Sequence, residues 1–269
     1  MTEHTVRSFS QDLEELSGDL ARMGGLAEDM LSDAIQAIAS RDLVLAETVV
    51  SRDPQIDNLQ VEVEKKILRL LALRQPLARD LRHVISALKI ATELERIGDL
   101  GKSIAKRVKL VDNVGADSAL KGVARMGRLV TAQLKRVLDA YTALETDAAN
   151  KVWARDEEVD EHYQSLFREV VTYMIEDPRT ISACAHLLFV AKNLERIGDH
   201  CTNIAEEIHF LVTGEQLPTE RPKVDELNSN SDRTSDDAPG RRHAPLRADR
   251  RRRGGAGRTD PLQPDQGRL

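Results

Sequence analysis

The sequence predicts an all-α protein: two tandem three-helix bundles related by pseudo-two-fold symmetry, followed by a disordered C-terminal tail. Three observations carry that expectation. Aromatic residues make up only 3% of the 269 residues, whereas Leu, Ala, Val and Ile are plentiful, a balance that favours packed helices over sheet. Apolar residues recur at alternating spacings of three and four, the period of a helix face. One hexapeptide occurs twice, 100 residues apart.

The elements follow in order. Leu13, Leu16, Leu20, Met23, Ala27, Met30 and Ala34 place an apolar stripe on a helix over 5–39. Ile56, Leu59, Val63, Ile67 and Leu70 do the same for a helix over 42–74, in which Asp53-Pro54 either caps a new helix or kinks a longer one. A third helix over 78–112 follows the breaker Gln75-Pro76. Val123, Val130, Leu134, Val137, Tyr141 and Leu144 define a fourth over 117–146, with a fifth over 148–176 and a sixth over 179–213. Ser40, Asp42, Asp117, Asp147 and Asp177 stand where N-caps are wanted. The first three-helix repeat is therefore 5–113, the second 114–215, and the tail 216–269.

The repeat is explicit in the residues. Leu94-Glu95-Arg96-Ile97-Gly98-Asp99 returns unchanged as Leu194-Glu195-Arg196-Ile197-Gly198-Asp199. Upstream, Asp53 to Asp57 echoes Asp156 to Asp160 at an offset of 103. The difference of three falls near the turn before the third helix, where length changes cost little.

Composition excludes several classes. With 41% hydrophobic and 31% charged residues, the body can bury a core and remain soluble. Residues 221–269 hold 12 Lys and Arg against 8 Asp and Glu, which leaves 27 against 37 in residues 1–220. That acidic body disfavours nucleic acid or an anionic membrane as the main partner. The first twenty residues lack the apolar core of a signal peptide, and no run of about 18 apolar residues is present to span a bilayer. The expected compartment is the cytoplasm. Cys184 and Cys201 fall on one predicted helix, about 25 Å apart at ~1.5 Å per residue, which rules out a bridge between them. The tail is rich in Pro, Gly, Arg, Asp and Ser, too polar to order itself, and its run Arg250 to Arg253 reads as solvated charge.

The hexapeptide carries the chemistry. On a helix Glu95 and Asp99 stand at i and i+4, so both carboxylates leave one face, and Glu195 and Asp199 repeat the pattern. They extend the stripe of Leu81, Ile85, Leu88 and Thr92, and position i+8 adds the oxygen donors Ser103 and Asn203. Like charges so placed need a counter-charge. One solution is a salt-bridge network fed by Arg96, Arg196 and cations of other helices. The other is a carboxylate cage for cations: all-oxygen sites suit Mg²⁺, Mn²⁺ or Ca²⁺, and clustered carboxylates also bind Fe or Zn. Further ligands must then come from neighbouring helices; Asp57 and Asp160 are the matched candidates, with Asp80 and Glu64 weaker.

Gly98 and Gly198 sit mid-helix, where either tight packing or a bulky ligand group explains them. His83 and His186 read as structural. His200 points about 100° away from Asp199 and so outside its site. Glu206 and His209 form one Glu-x-x-His, but a ferritin-like di-iron site needs two, and the first repeat has Lys106 to Lys109 there. No Gly-rich phosphate loop, nucleophile elbow or HExxH is present. Binding is therefore expected rather than turnover, with a carboxylate-bridged, metal-dependent enzyme as the alternative.

The segments RQPLARDLRHVISALKIATELERIGDLGKSIAKR (74–107) and YMIEDPRTISACAHLLFVAKNLERIGDHCTNIAEEIHFLVTGE (173–215) resemble the two signature segments of the PhoU family of phosphate-transport accessory and regulatory proteins. The resemblance extends over about residues 5–227. It implies a cytosolic, all-helical, two-repeat protein that often forms a homodimer. It also implies a negative regulator of the phosphate-starvation response, coupling the ATPase of a phosphate ABC transporter to a sensor histidine kinase. In some members E/DxxxD motifs bind multinuclear metal clusters; the positions here are Glu95, Asp99, Glu195 and Asp199.

Overall fold

Helix formation follows the apolar stripes. The computed structural model describes residues 2–74, 76–111 and 117–218, without the side chains of 2–10, Arg74 and Asp156. Seven α-helices occur among these residues: α1 (Thr2–Ser40), α2 (Leu43–Arg74), α3 (Arg79–Ala105), α4 (Asp117–Ala143), α5 (Thr146–Ala154), α6 (Asp156–Glu176) and α7 (Ile181–Thr213). Single 3₁₀ turns follow α3 at Val108–Leu110 and precede α7 at Pro178–Thr180. No strand occurs among the described residues. The expected tail lies outside them from residue 219 onward, Arg250 to Arg253 included.

Helices α1, α2 and α3 pack on one another, and α4, α5, α6 and α7 form the second group. Leu16, Leu20, Met23, Ala27, Met30 and Ala34 of α1 are fully or almost fully buried, as are Ile56, Val63 and Ile67 of α2 and Val123, Val130, Leu134 and Val137 of α4. No described helix is long and apolar enough to cross a membrane.

The two groups join along two antiparallel seams, α1 against α4 and α3 against α7. The first seam is built on small residues. A Cβ on Gly24 would meet Leu138 Cδ2 at 2.5 Å, and one on Gly127 would meet Ile35 atoms at 2.8 Å. Positions 24 and 127, like 35 and 138, differ by 103, so the two contacts are one contact made twice. That reciprocity is the mark of an isologous interface.

The α1–α2 and α4–α5 turns are also duplicated. Arg41 and Leu144 each take a left-handed conformation, with φ of 55° and 51°. Each is followed by a backbone N–H that closes the preceding helix, Asp42 onto the carbonyl of Ala37 and Glu145 onto that of Ala140, both at 2.9 Å. The break ends α4 at Ala143 and leaves Leu144 exposed, outside the stripe it was expected to continue.

Of the expected caps, Asp42 accepts from the N–H of Leu45 at 3.0 Å and Asp177 from that of Arg179 at 3.1 Å. Ser40 instead ends α1, donating to the Gln36 carbonyl at 2.8 Å. Asp117 is the first residue of α4 and pairs with Arg41. Asp147 lies inside the first turn of α5, because the duplicated turn puts Glu145, not Asp147, at the cap position.

The middle helices meet the sequence expectation in the first repeat and depart from it in the second. Helix α2 runs unbroken through Pro54, whose ring sits on the exposed face between the buried Val49 and Ile56. The lost N–H is outweighed by packing on both sides. The expected fifth helix divides at Arg155 into α5 and α6. Trp153, buried just before the break, donates from Nε1 to Glu206 Oε1 of α7 at 3.1 Å and fixes α5. Helix α7 ends at Gly214, whose φ of 81° admits the left-handed C-cap, with its N–H on the Phe210 carbonyl at 2.8 Å.

Gly127→Ala drives a methyl into the β-branched Ile35. Its overpacking cost of about 1–3 kcal/mol exceeds the ~1 kcal/mol gained in helix propensity. Gly25, with nothing within 4 Å of its Cβ position, is the control. Urea midpoints should fall for Gly127→Ala and rise for Gly25→Ala.

Candidate functional site

The α3–α7 seam decides which way the hexapeptides point. Glu93 Oε2 accepts from Asn203 Nδ2 at 3.0 Å and from His200 Nδ1 at 2.6 Å. The carboxylate can only accept when ionised, so Nδ1 carries the hydrogen. Asn193 Nδ2 donates to Ser103 Oγ at 3.1 Å, and Arg107 Nη1 to the same oxygen at 2.7 Å. Pairs 93–203 and 193–103 exchange under the offset of 100, a second contact made twice. Farther along, Lys89 pairs with Glu207 at 2.7 Å, and at the equivalent place the Arg107 guanidinium lies 5.2 Å from the centre of the Phe189 ring.

Ser103 and Asn203 are therefore seam residues and not members of an acid site. At 100° per residue, position i+8 has turned 80° from i, enough to carry both side chains onto the opposing repeat. His200 faces the seam too, outside the Asp199 site as its angle predicted.

The first acidic groove forms on the far side of α3, toward α2. Lys102 Nζ bridges the helices, donating to Asp53 Oδ2 of α2 at 2.5 Å and to Asp99 Oδ1 at 3.1 Å. Asp53 has a side chain only 6% exposed, and its Oδ1 is buried without a hydrogen-bond partner. Asp57, one turn along α2, is pushed above its usual value by desolvation and by Asp53. Glu95 is likewise pushed up, first by desolvation and then by Asp99, with Asp57 and Asp53 adding to the effect. The Lys102 bridge joins Asp53 to Asp99, and Asp57 and Glu95 stand one turn from them on the same helix faces, so the four carboxylates border one groove. Arg96, the expected counter-charge, lies 3.8 Å from Glu95 and is mostly exposed.

In the second repeat Lys192 holds Glu195, with Nζ 2.6 Å from Oε1 and 2.5 Å from Oε2. Its Nζ also lies 5.5 Å from the centre of the Tyr163 ring. Asp199 acts on Lys192 electrostatically and lies exposed, and Asp160 is half-buried on α6. Asp80 stands exposed in the first turn of α3, about 22 Å along the helix from Glu95 at ~1.5 Å per residue, so the fold does not bring it to the groove. Glu64 is half-buried on α2, two turns beyond Asp57.

The stripe through Leu81, Ile85 and Leu88 proves to be the margin of α3, and Leu81 is 39% exposed. The buried stripe is Val84, Ala87, Ala91, Leu94, Ile97, Gly98 and Ile104. Glu95 and Asp99 thus border the core, Glu95 half-buried and Asp99 exposed. Gly98 answers to packing: a Cβ there would meet Ile56 Cδ1 at 2.8 Å. At Gly198 the nearest atom, of Val159, is 3.5 Å away.

As the side chains stand, no group of three or more His, Cys, Asp or Glu among the described residues is arranged to hold a metal ion. In the first groove the counter-charge is Lys102, which bridges Asp53 and Asp99. The Glu-x-x-His pair is committed elsewhere, Glu206 to Trp153 and His209 Nδ1 to Asn150 Oδ1 at 3.0 Å.

Fold and grooves together define a tandem-repeat helical protein with an acidic groove on the outer face of each hexapeptide helix. The PhoU domain family matches residues 20–108 and 123–208. The chain belongs to the PhoU family. It is 57% identical over 229 residues to a phosphate-specific transport system accessory protein PhoU homolog of Caulobacter vibrioides, covering 85% of this chain and 100% of that one. The PhoU homolog of Rhizobium meliloti is 47% identical over 223 residues, 82% of this chain and 94% of its own. Among solved structures, PhoU from Pseudomonas aeruginosa superposes with a TM-score of 0.74 at 38% identity, over 77% of this chain and 100% of that one. The phosphate transport system regulatory protein PhoU from Streptococcus pneumoniae gives 0.73 at 32% identity, over 78% and 99%.

The seam carries a pH dependence. Burial pushes Glu93 up, but the hydrogen bonds of His200 and Asn203 outweigh it and hold the carboxyl below its usual value of 4.5. Stability from a depressed carboxylate is complete above the unfolded value and is lost as pH falls through the folded one. Glu93→Gln should therefore cost about 1–2 kcal/mol near neutrality. The gap between its urea midpoint and that of the wild type should close as pH falls below 4.5.

Proposed function

We propose that this chain is a cytosolic adaptor of phosphate uptake that restrains the phosphate-starvation response. In this reading it joins the ATPase of a phosphate ABC transporter to a sensor histidine kinase and keeps the kinase from activating its regulator while phosphate is ample. The observation that carries the reading is the likeness to a phosphate-specific transport system accessory protein over that protein's whole length. The paired PhoU matches, one per repeat, support it.

The physical features agree with a docking role. The repeats present two acidic grooves on a rigid helical body, which suits electrostatic recognition of basic surfaces. The carboxylates are engaged by lysines rather than aligned with a nucleophile or an acid–base partner, which favours binding over turnover. A homodimer and divalent metal ions bound in the grooves belong to the same proposal. Glu95, Asp99 and Asp57 would hold a cation in the first groove, and Glu195, Asp199 and Asp160 in the second. The group would contribute positive charge that links neighbouring helices.

Deleting the gene should raise alkaline phosphatase activity in phosphate-rich medium. Unchanged activity in the deletion strain would contradict the regulatory role. Oxygen consumption or phosphoester hydrolysis by the purified, metal-supplied protein would support the enzyme reading instead.

A further inference from the structure

We propose that the groove between α4 and α5 binds a small organic phosphate of the nucleoside monophosphate kind, its phosphate held between Arg136 and Arg155. The site is separate from the acidic grooves and independent of the regulatory reading.

The two repeats differ here in a way that opens a space. The groove, about 360 Å³, runs between α4 and α5 to the start of α6. Under the offset of 103, Met30, Asp33, Leu45 and Arg52 of the first repeat become Gln133, Arg136, Ala148 and Arg155 in the second. In the first repeat the place is closed. Met30 is fully buried, Leu45 packs on the core, and Arg52 pairs with Asp33 at 2.7 Å. In the second each closure is gone: Ala148 leaves the volume of a leucine side chain empty, and Arg136 takes the place of the aspartate.

Two arginines on opposite walls call for an anion between them. Among the described residues neither forms an ion pair, and Lys151, in the place of Thr48, adds a third cation one turn from Arg155. The carboxylates on the rim have other surroundings. Asp139 lies 3.9 Å from Lys135, Glu145 stands at the cap position of α5, and Glu158 is in the first turn of α6, where a helix favours negative charge. A carboxylate monoanion satisfies one guanidinium. A phosphate monoester, close to dianionic at neutral pH, offers three oxygens and suits two forks and an ammonium.

The rest of the ligand follows from the rest of the lining. Ala140, Ala143 and Ala148 make an apolar shelf fit for a flat ring. Gln133 is only 3% exposed, yet its Oε1 has no hydrogen-bond partner and its Nε2 reaches the Arg155 carbonyl only at 3.5 Å. This poorly satisfied amide stands where packing alone is met by methionine. Rotation about its last side-chain bond would turn the oxygen to the groove, to accept from a ligand N–H or O–H.

The test uses the full chain and calorimetry with AMP as the probe, and adenosine and inorganic phosphate for comparison. AMP should bind at least tenfold more tightly than either. Arg136→Asp rebuilds the Asp33–Arg52 pair across 136 and 155, and Ala148→Leu refills the space as Leu45 does, so both copy packing with which the first repeat already folds. Each should weaken AMP binding about tenfold or more, the loss of one charged hydrogen bond or of the shelf. Lys121→Gln, which removes an exposed cation near the other end of α4, should leave it unchanged. Should either variant fail to fold, Lys151→Gln on the exposed face of α5 replaces it, with a severalfold loss expected. Inorganic phosphate binding as tightly as AMP overturns the organic ligand. Absence of AMP binding, or AMP binding that survives the substitutions, overturns the site.

Discussion

Helices α3 and α7 run antiparallel, and their polar contact is made twice in the same register, Glu93 to Asn203 and Asn193 to Ser103. Each such hydrogen bond contributes only about 1 kcal/mol. Their larger effect is angular. Once Glu93 faces the other repeat, Glu95, two residues on, points about 200° away, and Asp99 follows on nearly the same face. The seam therefore turns both hexapeptides outward, each toward the middle helix of its own repeat. The α1–α4 seam repeats the logic with glycines, where Gly24 and Gly127 let the helices close on Leu138 and Ile35.

Within each repeat the outward face collects negative charge that the protein must answer. The first repeat uses a lysine whose ion pairs tie two helices, and the second a lysine whose ion pair with Glu195 lies within α7 while its ammonium sits over the Tyr163 ring of α6. The seams have kept their symmetry while the parts around them have diverged. The same divergence appears where Lys89–Glu207 in one half is matched by Arg107 over Phe189 in the other. It appears again where α2 is continuous and its counterpart divides into α5 and α6.

The sequence made the helical class, the repeat, most helix limits and the acid pairs legible, because these depend on residues within a turn or two of one another. Asp57 was legible through the offset of 103. What it hid were relations across helices. Lys102 and Lys192 stand three residues from Asp99 and Glu195, a visible spacing, yet nothing local says that Lys102 also reaches Asp53. Asp53 itself looked like a cap for Pro54, because the packing that carries α2 through the proline is tertiary. Ser103 and Asn203 were drawn toward the acid pair by counting turns, whereas 80° of rotation hands them to the opposite repeat. The division at Arg155 had no glycine or proline to announce it; Trp153 and its bond to Glu206 belong to the folded state alone.

The most direct measurement of the reciprocal seam is cysteine cross-linking. Ser103→Cys with Asn193→Cys, and Glu93→Cys with Asn203→Cys, should each form a disulfide under mild oxidation. The native Cys184 and Cys201 are buried and should not compete. Both pairs closing at similar rates is the result the pseudo-two-fold register requires. Closure of one pair without the other, or of neither in a folded protein, would contradict it.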